Sequence, residues 1–225
     1  MKNDAVTRQV EFEAAFTHGI GALLSVIATC VLASSLSPDT DPLLKAGCSL
    51  YMGTLMLVYI TSTMSHMYTF QSINTILRSC DQGFIYLLIV GTATPFISLL
   101  LSSNDPARLC IGFCILSLLW TLAFIGCISK IVFTHRLNNV AISLYILLGW
   151  GEAILLLLIR SEVNQSSLNW LIIGGLFYSI GAIFLVLNWY KYHFHTIWHL
   201  FVIAGSISHF HAIVLLTMYA NSIPK

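Results

Sequence analysis

The run DQGFIYLLIVGTATPFISLLL, Asp81–Leu101, puts one acid at the head of about twenty residues that carry no further charge. A helix needs roughly 20 apolar residues to cross a hydrocarbon core of ~30 Å. β-barrel strands would be ~10 residues long and would alternate in polarity; this run is too long and too continuous. Six further stretches have the same character, so the expected spans are about 18–37, 43–67, 82–102, 108–129, 138–159, 168–189 and 196–220. Polar breaks such as SLSPDTDP (Ser35–Pro42), SSNDPAR (Ser102–Arg108) and RSEVNQSS (Arg160–Ser167) separate them.

Composition points the same way. Of the 225 residues, 57% are hydrophobic and 8% charged, with a mean hydropathy of +0.86. A soluble domain carries about 25% charged residues, so this chain could not cover a water-facing surface. The expected fold is all-α: a polytopic, seven-helix membrane bundle over 18–220, with a short arm at 1–17 and a tail at 221–225. The first apolar segment runs past signal-peptide length and should stay as an anchor. The net charge of +1 argues against nucleic acid as a partner and gives no steering field. Membrane lipids are the expected surroundings, in a cell membrane crossed several times. Oligomeric state is not legible.

Lys and Arg counts set the expected orientation. The N-terminus and the second, fourth and sixth loops hold Lys2, Arg8, Arg78, Lys130, Arg136 and Lys191; the other side holds Lys45, Arg108, Arg160 and Lys225. Six against four favours a cytoplasmic N-terminus and an extracytoplasmic C-terminus. The six cysteines imply packing rather than a disulfide framework.

In this topology, the second span ends at His66, the third starts at Asp81 and the seventh starts at His195. These ends share one leaflet whichever way the bundle is inserted. His195 and His199 stand at i, i+4 on one helix face, as do Ser62 and His66. Ionisable groups inside a membrane are costly and usually functional. Three imidazoles plus a carboxylate match a catalytic zinc site with room for water. In this reading His66, His195 and His199 ligate Zn2+, and Asp81 ligates directly or through water. Asp81 also accepts the proton of that water, and Ser62 donates to a substrate carbonyl as negative charge develops.

At these residues the chain resembles bacterial hemolysin III-type proteins of the progestin and adipoQ receptor family. The segments that carry the likeness are THGIGA (Thr17–Ala22), TSTMSH (Thr61–His66), DQGFIYLLIVGTATPF (Asp81–Phe96), GGLFYSIGAIF (Gly174–Phe184) and HTIWHLFVIAGSISHF (His195–Phe210). The resemblance implies seven helices, a cytoplasmic N-terminus, and zinc held by the residues that match His66, His195 and His199. It also implies that Asp81 engages zinc-bound water and that Ser62 lines the same centre. Alkaline ceramidases of the wider superfamily hydrolyse a lipid amide. Gln82, Ser65 and the stretch Ala14–Phe16 depart from residues common in the family.

The leading expectation is thus a zinc-dependent hydrolase acting on a lipid amide or ester. A sensor or receptor for a lipid or small molecule, with structural zinc, is the alternative, and a hemolysin-like pore is the third. Among other residues, His18 is a possible outer contact of the centre. Glu152, in the fifth span, reads as a protonated acid bonded to a neighbouring helix. His209 is roughly 15 Å along the helix from His199 and should make a polar contact elsewhere. His135, His193 and His211 read as loop, interface and packing residues. Pro95 should kink the third helix. Gly19, Gly21, Gly174, Gly175 and Gly181 should allow close helix approach, and Trp170, Trp189 and Trp198 should anchor the interface.

Overall fold

A computed structural model describes residues 2–68, 71–133, 138–157, 160, 163–187 and 194–222. His135, Trp189 and His193 lie outside the described residues, as do Arg136, Glu162, Lys191 and Lys225. The described residues form seven helices: α1 (Lys2–Ser35), α2 (Pro42–Met67), α3 (Gln71–Leu101), α4 (Pro106–Phe133), α5 (Asn138–Leu157), α6 (Gln165–Leu187) and α7 (Phe194–Ser222). Six are long and apolar enough to cross a membrane, and α5 contributes a shorter apolar run, Ala141–Ile154.

Local chemistry explains where the helices start. Asp41 caps α2 by accepting from the backbone N–H groups of Leu43 and Leu44, at 2.8 and 3.2 Å. Pro42 occupies the first turn, where a missing N–H costs nothing. Two helices begin earlier than their apolar runs. α1 continues unbroken from Lys2, so residues 2–17 extend the first span as helix, and α3 begins ten residues before Asp81. These polar extensions bring Glu11 and Arg78 to the centre described below.

The helices close into a ring. α1 packs on α2, α2 on α3, α3 on α5, α5 on α6, α6 on α7, and α7 returns to α1; α4 packs chiefly against the outside of α3. α3 is the central element: 67% of its most apolar window is buried, against 22% for α4 and α6. Large apolar side chains on α4, including Ile111, Phe113, Phe124 and Ile125, face outward. In water such a surface would aggregate; in hydrocarbon it is the natural exterior.

Lipid removes most of the hydrophobic drive between helices, so close packing of small residues matters more. At Gly181 an added Cβ would lie 2.7 Å from Phe201 Cβ and 2.9 Å from Trp198 Cε3, and at Gly174 it would collide with the His209 ring. Gly19 and Gly175 are not close-approach points, because the nearest atoms to such a Cβ stand at 3.8 and 4.0 Å. Pro95 does not break α3. It packs against α2, where a Cβ on Gly47 would come within 3.0 Å of Pro95 Cα.

Candidate metal centre

The end of α2 and the start of α7 bring three imidazoles together. His195 Nε2 lies 3.3 Å from His66 Nε2 and 3.1 Å from His199 Nε2. One ligand atom from each ring falls within 4.8 Å of the others, a grouping able to hold a metal ion. His66 and His199 are buried, at 8% and 2% exposure. The i, i+4 spacing puts both α7 rings on one face, and His66 closes the group from α2.

The outer contacts of these rings decide which nitrogens carry protons. His66 Nδ1 stands 2.7 Å from Glu11 Oε2. A carboxylate only accepts, so this nitrogen carries the hydrogen, and in the neutral ring Nε2 keeps its lone pair. His199 Nδ1 lies 3.3 Å from Thr17 Oγ1, whose own hydrogen goes to backbone carbonyls of Glu13 or Ala14. Thr17 therefore accepts from His199 Nδ1, and His199 Nε2 is also a bare lone pair. His195 has one Nε2 hydrogen at most, so it cannot satisfy both neighbours. Its Nδ1 is buried without a partner. A cation at the meeting point would satisfy all three lone pairs at once, and a partner on the far nitrogen of a ligating imidazole is the usual outer arrangement.

Glu11 is itself held in place. Arg78 Nη2 donates to Glu11 Oε1 at 2.7 Å, and Arg78 Nε donates to Asn74 Oδ1 at 2.7 Å. Thr196 Oγ1 donates to Glu13 Oε2 at 3.2 Å, tying α7 to α1 beside the centre. Sequence reading missed Glu11 and Arg78 as parts of the site. The signals were present: Glu11 lies two helical turns before His18, and Arg78 one turn before Asp81.

Asp81 stands outside the trio of converging ligand atoms. Ser65 Oγ lies 3.3 Å from Asp81 Oδ2 and 2.9 Å from the Ser62 carbonyl. Thus Ser65, one of the residues that departs from the family pattern, contacts the carboxylate. Ser62 Oγ is 2.7 Å from His18 Nδ1, and the His18 ring stacks on His199 with centroids 3.6 Å apart. Ser62, Asp81, His18, His195 and His199 line one cavity of about 280 Å³. An apolar chamber of about 120 Å³ adjoins it, with Ile85, Leu88, Tyr145, Tyr178 and Trp198 lining both.

Other expectations need correction. Trp198 is not an interface anchor: it is 9% exposed and forms part of the wall between the two spaces. Gly181 on α6 leaves room for its ring to lie inside. Glu152 is buried at 5% exposure, and its Oε1 has no hydrogen-bond partner among the described residues. His209 does make a polar contact away from the trio, through Nε2 to the Leu171 carbonyl at 3.1 Å. His211 packs edge-on against Trp170, and Trp170 remains 38% exposed. The six cysteines are free.

Comparison with known proteins agrees with this architecture. Residues 7–210 match the family described as haemolysin-III related. Hemolysin-3 of Bacillus cereus is 35% identical over 205 residues, covering 91% of this chain and 90% of the relative. The hemolysin-3 homolog of Bacillus subtilis (strain 168) is 32% identical over 208 residues, with 92% and 94% covered. The human monocyte to macrophage differentiation factor is more distant, at 25% identity over 203 residues, with 88% and 80% covered. With apolar helices suited to crossing a membrane several times, the chain is a multi-pass membrane protein and belongs to the haemolysin III family.

Proposed function

We propose that this protein is a zinc-dependent hydrolase that cleaves an amide or ester bond of a membrane lipid. The observation that carries the reading is the convergence of three Nε2 atoms on one point, with two of the rings held by Glu11 and Thr17 so that lone pairs face inward. A tetrahedral ion with Zn–N bonds of ~2.0–2.1 Å places its ligand atoms about 3.3 Å apart. The two close separations here are 3.1 and 3.3 Å, which supports zinc as the ion. Zinc, when bound there, supplies Lewis acidity towards a carbonyl or a water molecule.

The chain's own residues would do the rest. Asp81, steadied by Ser65, accepts the proton of the attacking water and returns it to the leaving group. Ser62 Oγ donates to the carbonyl oxygen as negative charge develops. That role requires His18 Nδ1 to donate to Ser62 Oγ, and the hydroxyl hydrogen, which can also reach the Asp81 carboxylate, to turn to substrate. The apolar chamber beside the cavity would take the lipid chain and limit access of bulk water.

The test is turnover of lipid amides and esters by purified protein, with zinc measured alongside. Asp81→Asn is expected to keep its zinc and fold and to lose turnover, because an amide is a poor base. Wild-type turnover in a zinc-loaded Asp81→Asn protein would sink the proposed role. A protein without turnover that changes conformation on binding lipid would instead be a sensor. The trio favours that second reading in one respect, since an ion joining α2 to α7 would also act as a structural staple.

We further propose that the N-terminus is cytoplasmic and the C-terminus extracytoplasmic, on the excess of Lys and Arg on the N-terminal side. A reporter fused after Lys225 should be extracytoplasmic, and a cytoplasmic signal would reverse the orientation.

A further inference from the structure

We propose that the cavity beside the histidine trio binds the phosphate of an anionic lipid between Arg78 and Lys130. The inference deepens the hydrolase reading by naming its substrate class and rests on that reading for turnover, but not for binding.

Ionisable residues in a membrane domain face the interior or a water-filled space, and near helix ends lysines normally extend outward to the interface. On α4, the neighbouring Ile128, Val132 and Phe133 are 59%, 65% and 55% exposed, so this end of the helix faces outward. Lys130 turns the other way. It is 3% exposed and lines the same cavity as Ser62, Asp81 and His195. It stands three residues before the end of α4, near one membrane face.

Arg78 lines that cavity from α3. Glu11 and Asn74 hold its guanidinium in place, and its side chain keeps 37% exposure. A guanidinium fixed by neighbours and still accessible is well suited to phosphate, which it can meet with two parallel hydrogen bonds. Lys130 would add a compact charge.

The local charge also favours an anion. Arg78 and Lys130 offset all but one of the three acids Glu11, Glu13 and Asp81, so a divalent ion on the trio would still leave the centre positive. A bound anion restores neutrality where a buried net charge is costly. The adjoining apolar chamber suits an acyl chain rather than a free ion. A lipid with its phosphate between the two cations would therefore have both parts accommodated, and cations at headgroup depth attract anionic lipids.

The test uses zinc-loaded, full-length protein in a neutral detergent, read by native mass spectrometry. The probes are phosphatidic acid, a diacylglycerol with the same chains, and inorganic phosphate. Phosphatidic acid should remain bound, and the diacylglycerol should bind at least about tenfold more weakly, the scale of one charge-assisted contact. Lys130→Gln should weaken phosphatidic acid by about tenfold or more with zinc content unchanged.

Equal binding of the two lipids, or wild-type affinity in Lys130→Gln, would overturn the proposal. Phosphate binding as tightly as the lipid would also overturn it, assigning the site to the free ion. Should Lys130→Gln fail to fold, Gln82→Glu sets a second negative charge on the same cavity wall; it should weaken phosphatidic acid comparably, and unchanged affinity would refute the site. Absence of turnover in every sample would leave the lipid preference intact, whereas loss of the preference would leave the Asp81→Asn result untouched.

Discussion

The histidine trio and Glu152 are both ionisable groups sunk among apolar helices, but the protein surrounds them differently. Two imidazoles of the trio have a defined outer contact, to Glu11 and Thr17, and the Glu11 contact is secured again by Arg78. Glu152 sits beside a chamber with apolar walls, and its Oε1 has no partner. The nearby His209 uses one nitrogen on a backbone carbonyl and leaves the other unpaired. A buried group held from behind keeps one geometry, which suits an ion or a reacting atom. A buried acid without such support is most cheaply carried neutral. The proposed metal site needs such support of the trio, and Glu152 has none at Oε1.

Three substitutions test that contrast. The largest effect is expected at Ser62, which faces the cavity: Ser62→Ala should reduce lipid turnover by about 10²–10³-fold, the scale for one lost donor to a developing oxyanion, while zinc content stays at the wild-type level. Turnover and zinc measured on one preparation check this, and unchanged turnover would remove Ser62 from the chemistry. Next is Glu11→Ala, which releases His66 from behind. Zinc affinity, measured by competition with a chelator, should fall by about 10–100-fold, and Glu11→Gln should recover part of the loss. If affinity is unaffected, the outer contact is only packing. The smallest effect is expected from Glu152→Gln, which keeps shape and removes the ionisable group. Zinc affinity and turnover should stay within about twofold, with thermal stability equal or slightly higher, since removing an unpaired buried acid is seldom harmful. A large loss of turnover would make the apolar chamber part of the machinery and erase the contrast.

What the sequence reveals follows from what each signal depends on. The seven helices are legible because each apolar run is set by composition alone. The convergence of His66 and His195 is legible because counting crossings fixes which helix ends share a leaflet, without any knowledge of packing. Glu11 was harder to assign, since its role depends on α1 continuing through a polar stretch that reads as an arm. Trp198 was misplaced because position near a span end does not say which face a ring takes; Gly181 on the adjoining helix decides that. The partnerless Oε1 of Glu152 is likewise a property of its neighbours across the chamber. Pro95 carries a strong local signal for bending, whereas its use as a contact surface depends on the close approach of Gly47 on a neighbouring helix.

In the proposed centre, three histidines from two helices hold one zinc ion. Elemental analysis of purified wild-type protein beside the His195→Ala, His199→Ala double variant tests it most directly. About one zinc per wild-type chain is expected, because two α7 imidazoles and one from α2 complete a three-nitrogen site. Almost none is expected in the double variant, and chelator-stripped wild-type protein should melt at a lower temperature, since an ion bound only by the folded state stabilises it. Zinc retained in full by the double variant would rule out a site built on these histidines.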